Sequence, residues 1–208
     1  MIKVKVCGIT TVEDARVALD AGADALGMVL HPTSPRRVSF QRAREISDYV
    51  GPAAERFGVL VDAAAGELEE MVAACRLSAV QLHLRSCPRP LLTELSVPVL
   101  PFLPGNPDAL RRAADWWPHL PVMVDSLGPD GAGGTGALAD LAVAAALASH
   151  RPVWLAGGLS ADNVAAAVAA VRPQGVDASS ALEVAPGRKD PELVRRFVAE
   201  ARRAGAGL

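Results

Sequence analysis

Residues 153–180, VWLAGGLSADNVAAAVAAVRPQGVDASS, contain the pattern on which the fold turns. Val153–Ala156 is a short apolar run closed by Gly157-Gly158. Ala161–Val171 then reads as a helix with Ser160 as its N-cap, and Val176–Ser179 is a second short apolar run. A run this short and apolar, leading straight into a helix, is expected to form a parallel strand buried on both faces.

The same unit recurs toward the N-terminus. Strands are expected at Ile2–Val6, Ala25–Leu30, Phe57–Val61, Ala79–His83, Val97–Leu103 and Val122–Asp125. Helices are expected at Val12–Ala21, Phe40–Val50, Gly66–Cys75, Pro88–Leu95, Pro107–Asp115 (with Asn106 as its cap) and Leu138–Ser149, and Pro191–Ala204 closes the chain. Eight strand-helix units share 208 residues, about 26 apiece. An α/β chain of this kind is expected to be a single-domain (β/α)₈ TIM barrel spanning residues 1–208. An open doubly wound sheet alternates in the same way, but eight evenly spaced units favour closure.

Composition narrows the function classes. Half the residues are apolar, enough for a substantial core. Twenty-one basic residues against 23 acidic ones give a net charge of -2, without the basic excess of an electrostatic nucleic-acid binder. The 18 arginines and 3 lysines are scattered, which excludes a polybasic membrane patch. Cys7, Cys75 and Cys87 are odd in number and lack metal-like spacing, so a reduced, cytoplasmic protein is expected. The N-terminus alternates apolar and polar residues rather than carrying a signal peptide's apolar run. No apolar segment reaches membrane-spanning length.

In this fold chemistry sits on the loops after the strands. Cys7, followed by Gly8, is placed to act as base or nucleophile, or equally to pack as a small buried hydrophobe. The loop after the second strand ends in Arg36-Arg37, a carboxylate fork or a solvated pair. His83 reads either as catalytic or as a hydrogen-bonded structural histidine, and Asp125 ends an apolar strand where a carboxylate needs a role or a partner. Gly133–Gly136 is an anion-binding or merely flexible loop. Glycines at the seventh strand end and small residues at the eighth leave backbone N–H groups for a phosphate, where barrels often bind one. The pairing points to an enzyme for a phosphorylated small molecule.

With these residues in place, the chain resembles the phosphoribosylanthranilate isomerase family along its whole length. The matching motifs are Lys5-Val-Cys7-Gly-Ile-Thr10, Gly22-Ala-Asp-Ala-Leu-Gly27, Ser34-Pro-Arg36, Val80-Gln-Leu-His83 and Val124-Asp125. They continue with Gly133-Gly-Thr-Gly136, Leu155-Ala-Gly-Gly-Leu159, Asn163-Val164, Val176-Asp177 with Ser179-Ser180, Pro186-Gly187 and Lys189-Asp190. The resemblance implies an Amadori rearrangement of N-(5-phosphoribosyl)anthranilate in tryptophan biosynthesis. It implies Asp125 as general acid, Cys7 as general base and Arg36 as the anthranilate-carboxylate anchor. Gly134, Thr135, Gly157, Gly158, Ser180 and Ala181 would hold the phosphate, with His83 and Asp177 as orienting groups. Neither a cofactor nor a metal is implied, and members of such families occur as monomers or homodimers.

The chain departs from the family pattern at Leu84-Arg85-Ser86, at Ala139-Asp140-Leu141 and at Ala181-Leu182. An isomerase for the related histidine-pathway aminoaldose, or for both substrates, would normally use two aspartates as acid and base, whereas Cys7 ends the first strand here. A non-catalytic barrel that binds a phosphorylated ligand would not need both Cys7 and Asp125.

Overall fold

In the computed structural model, described over residues 1–61, 65–83, 95–104, 120–125 and 141–207, eight parallel strands close into one barrel in sequential order. They are β1 (Lys3–Cys7), β2 (Ala25–Val29), β3 (Glu55–Val61), β4 (Ala79–His83), β5 (Val99–Pro104), β6 (Val122–Asp125), β7 (Val153–Ala156) and β8 (Gly175–Ala178). β1 pairs with both β2 and β8, so no strand of the barrel has a free edge.

Six helices lie among the described residues: α1 (Val12–Asp20), α2 (Phe40–Val50), α3 (Ala65–Cys75), α4 (Leu141–Ala148), α5 (Val164–Val171) and α6 (Pro191–Gly205). No helix among the described residues is long and apolar enough to cross a membrane. The expected helices Pro88–Leu95 and Pro107–Asp115 fall on segments outside the described residues, apart from Leu95.

The strand alternation sorts side chains into two shells. Val4, Val6, Leu26, Met28, Val80, Leu82 and Val176 point outward and are buried beneath the helices, against Ala15, Ile46, Leu68, Val168 and Phe197. The intervening positions, Ala25, Phe57, Ala79, Leu100, Met123, Trp154 and Ala156, fill the barrel interior. Phe57 and Trp154 meet edge to face there, with centroids 6.3 Å apart. Small alanines beside these two rings fit the crowded interior of an eight-stranded barrel.

Local chemistry explains the helix starts, with one correction. Thr11 and Ser39 cap α1 and α2 by accepting from the amides of Asp14 and Arg42. Asp190 caps α6 ahead of Pro191, accepting from Glu192 and Leu193. Ser160, however, does not cap α5, which begins three residues later than expected, with Asn163 at the N-cap position. Asn163 turns its side chain back instead, accepting from the Ser160 amide at 2.8 Å and donating to the Gly158 carbonyl at 2.9 Å. That arrangement braces the loop after β7.

A short hairpin, β9 (Glu183–Ala185) with β10 (Arg188–Lys189), follows β8 and was not expected from the sequence. It is tied to α1 and the loop before it: Asp14 accepts from the Lys189 amide at 3.0 Å, and Thr10 donates to the Gly187 carbonyl at 2.5 Å. These contacts give the Thr10, Gly187 and Lys189-Asp190 motifs a structural reason.

Candidate active site

Of the residues named from the sequence, Cys7, Arg36, His83, Gly157, Gly158, Asp177, Ser180 and Ala181 come together at the C-terminal mouth of the barrel. Cys7 is the last residue of β1 and is 7 % exposed. Two residues earlier on the same face lies Lys5, which is wholly buried. Its Nζ donates to Gln81 Oε1 and to Asp177 Oδ1, both at 2.9 Å. Because the Gln81 oxygen serves Lys5, its amide nitrogen is the group 3.1 Å from His83 Nε2. His83 Nε2 must then accept, which leaves the ring proton on Nδ1. The imidazole is further held by stacking on Phe102, with centroids 3.8 Å apart.

Burial opposes the charge on Lys5, but the Asp177 carboxylate and Cys7 more than offset it and hold the ammonium above the ordinary lysine value. Burial pushes the Cys7 thiol up, and Lys5 is the strongest opposing influence.

A second charged group sits beside the first. Arg36, from the loop after β2, forks onto Glu183: Nε lies 2.9 and 3.0 Å from the two carboxylate oxygens, and Nη2 lies 2.7 Å from Oε2. Lys189 Nζ meets the same carboxylate at 2.8 Å and donates to the Ser179 carbonyl at 3.1 Å. Burial alone would raise the Glu183 carboxyl; the hydrogen bonds from Arg36 and Lys189 outweigh it and hold the group below the usual carboxylate range. Arg36 is therefore already paired along its Nε edge. Glu183 thereby fixes the plane of the guanidinium.

Cys7, Arg36, His83 and Asp177 line one cavity of about 570 Å³, within the range of small-molecule sites. Gly157, Gly158, Ser180 and Ala181 line its other side. Gly157 and Gly158 both have positive φ, at 86° and 64°, so the chain turns sharply at the end of β7 in a conformation side chains disfavour. Ala181 sits inside a 3₁₀ turn, Ser180–Leu182. Among the described non-glycine residues only Arg76 and Arg172 have positive φ, so alanine replaces the family's glycine at 181 without backbone strain.

Asp125 ends β6 in register with Pro104 and Ala156, at the same end of the barrel. Gly134, Thr135, Leu84-Arg85-Ser86 and Ala139-Asp140 lie outside the described residues, as does Cys87. Cys75 is buried in α3, with its thiol pushed up to about 11 by burial.

Sequence reasoning gave no role to Lys5, Gln81, Glu183 or Lys189. For Lys5 a signal was present: a lysine at an alternate position of a strand covered on both faces must point into the barrel.

A closed eight-stranded parallel barrel with a thiol, an arginine and a glycine turn lining one cavity at the C-terminal ends of its strands has the build of a (β/α)₈ enzyme. The model of the family described as N-(5'phosphoribosyl)anthranilate (PRA) isomerase matches residues 4–200. The chain belongs to that family, and it is an isomerase of tryptophan biosynthesis. It is 44 % identical over 209 residues to the N-(5'-phosphoribosyl)anthranilate isomerase of Deinococcus radiodurans, covering 95 % of each chain. The phosphoribosyl anthranilate isomerase structure from Thermotoga maritima superposes with a TM-score of 0.90 at 33 % identity, covering 98 % of this chain and 100 % of that one. A structure of such an isomerase in complex with reduced 1-(o-carboxyphenylamino)-1-deoxyribulose 5-phosphate has a TM-score of 0.86 at 32 % identity, with the same coverage.

Proposed function

We propose that the chain converts N-(5'-phosphoribosyl)anthranilate into 1-(2-carboxyphenylamino)-1-deoxyribulose 5-phosphate with Asp125 as general acid and Cys7 as general base. Asp125 gives its proton to the furanose ring oxygen as the C1–O bond breaks, leaving an open-chain iminium. The Cys7 thiolate then removes the proton from C2, and the electron pair moves to the iminium nitrogen to give an enolamine. Tautomerisation of the enolamine to the ketone completes the rearrangement. Proton transfer by placed groups is typically worth about 10²–10⁴-fold.

Arg36 holds the anthranilate carboxylate along its Nη1 edge. Gly157, Gly158, Ser180 and Ala181 hold the phosphate through their backbone, joined by Gly134 and Thr135. His83 and Asp177 orient the reacting groups. The observation that carries this reading is that Cys7, Arg36 and the glycine turn after β7 line one cavity. The proposal includes one barrel domain over residues 1–208 and a cytoplasmic protein, monomeric or homodimeric, without nucleic-acid or membrane partners.

The test follows the fluorescence decay of phosphoribosylanthranilate with purified protein. Turnover is expected. Arg36→Met is expected to raise KM about 10–100-fold while sparing kcat, since a hydrogen bond to a charged group is worth about 1.5–3 kcal/mol. Absence of turnover alongside intact binding of a phosphate ligand would favour a non-catalytic barrel.

A further inference from the structure

Lys5 uses two of its three N–H groups on Gln81 and Asp177. The remaining donor lies beside sulfur: a Cβ built on Gly27 would sit 2.7 Å from Cys7 Sγ and 3.0 Å from Lys5 Nζ. The two atoms therefore flank the same small gap, which exists because residue 27 has no side chain. Gly27 lies in mid-strand, directly across from Cys7 in the β1–β2 pairing. Its φ is not positive, so backbone freedom is not the reason for glycine here.

We propose that Lys5 is a positioning residue of the isomerisation: its buried ammonium, pinned by Asp177 and Gln81, donates to the Cys7 sulfur and stabilises the thiolate, and Gly27 is glycine so that the two can meet. The inference rests on Cys7 being the base. Burial holds the thiol up even beside Lys5, and without that ammonium it would be held higher still, because a thiolate out of water needs a compensating charge. Lys5 supplies that charge from inside the barrel, on the side away from the ligand. It can thus assist the base without occupying the substrate's volume.

The other charged groups acting on the thiol are Asp177 on β8, which opposes ionisation, and Lys189 on β10, which favours it. Arg36 on the loop after β2 also feels the sulfur's charge. Lys189 and Arg36 are both committed to Glu183, whereas Asp177 is itself neutralised by Lys5. Lys5 is thus the cation whose removal changes the thiol most.

The experiment measures iodoacetamide alkylation of the Cys7-containing peptide by mass spectrometry across a pH series, with turnover measured in parallel. Lys5→Met is expected to move the alkylation midpoint of Cys7 upward by about one unit or more, which slows alkylation at neutral pH about tenfold. Its kcat should fall by a similar factor with little change in KM. Since Lys5→Met strands Asp177, the double variant Lys5→Met/Asp177→Asn removes both charges and protects the fold. Gly27→Ala keeps every charge and should move the midpoint the same way, because its methyl forces the two atoms apart. An alkylation profile unchanged in all three folded variants would overturn the role of Lys5. If Cys7→Ser itself kept full turnover, the base assignment would fall instead, so the two failures are distinguishable.

Discussion

Cys7→Ser is expected to lose about 10²–10⁴-fold in kcat, the range for removing a general base, with KM nearly unchanged. A serine hydroxyl ionises far above a thiol, so at neutral pH it offers no anion to take the C2 proton. The binding groups are untouched: Arg36 remains forked on Glu183, and the turn at Gly157-Gly158 is built from its own backbone. Asp125→Asn should fall in the same range, since an amide cannot deliver a proton to the ring oxygen. The two groups serve consecutive steps of one reaction, so their losses should not multiply; the double variant is expected to fall short of the product of the single effects. All three are read from the fluorescence decay of phosphoribosylanthranilate, with stopped-time product analysis for the slow variants. Full activity in Cys7→Ser would remove the thiol from the mechanism, and full activity in Asp125→Asn would remove the carboxyl.

What the sequence made legible follows from the physics of each residue. The eight strands were readable because parallel strands covered on both faces are short apolar runs, and the strand bounds moved by no more than two residues. Cys7 and the Gly157-Gly158 pair stood out because they end such runs, where barrels place chemistry. The Ser160 cap was misplaced because Asn163 competes for the same turn with an amide that can both accept and donate. Lys5 was passed over because a lysine alternating with valines ordinarily marks a solvent-facing edge. Only barrel closure makes that face an interior. Glu183 was invisible as a site residue for a different reason: its pairing with Arg36 spans 147 residues, and nothing local to either residue announces it. The β9–β10 hairpin that delivers Lys189 to the same carboxylate is equally a product of tertiary contact, through Asp14 and Thr10.

Glu183→Ala is therefore expected to be among the most destabilising single changes at the site, although Glu183 takes no part in the proposed proton transfers. Its side chain is 4 % exposed, and that of Lys189 is fully buried. Deleting the carboxylate leaves a buried ammonium without its partner, which typically costs about 3–5 kcal/mol. Glu183→Gln keeps an acceptor for Lys189 and should cost less, while loosening Arg36 enough to raise KM more than it lowers kcat. The pH dependence separates charge from packing. The folded-state carboxyl titrates below its ordinary value, so its ionisation contributes stability that is present above that ordinary value. The contribution is lost as pH falls through the folded-state value, because the native and unfolded proteins then bind the same proton. The denaturant midpoints of the unaltered protein and Glu183→Gln should thus differ most near neutrality and converge in acid. A difference that stayed constant down through the acid range would mean that Glu183 acts by shape alone. Arg36 would then owe its orientation to the loop after β2 rather than to the carboxylate beneath it.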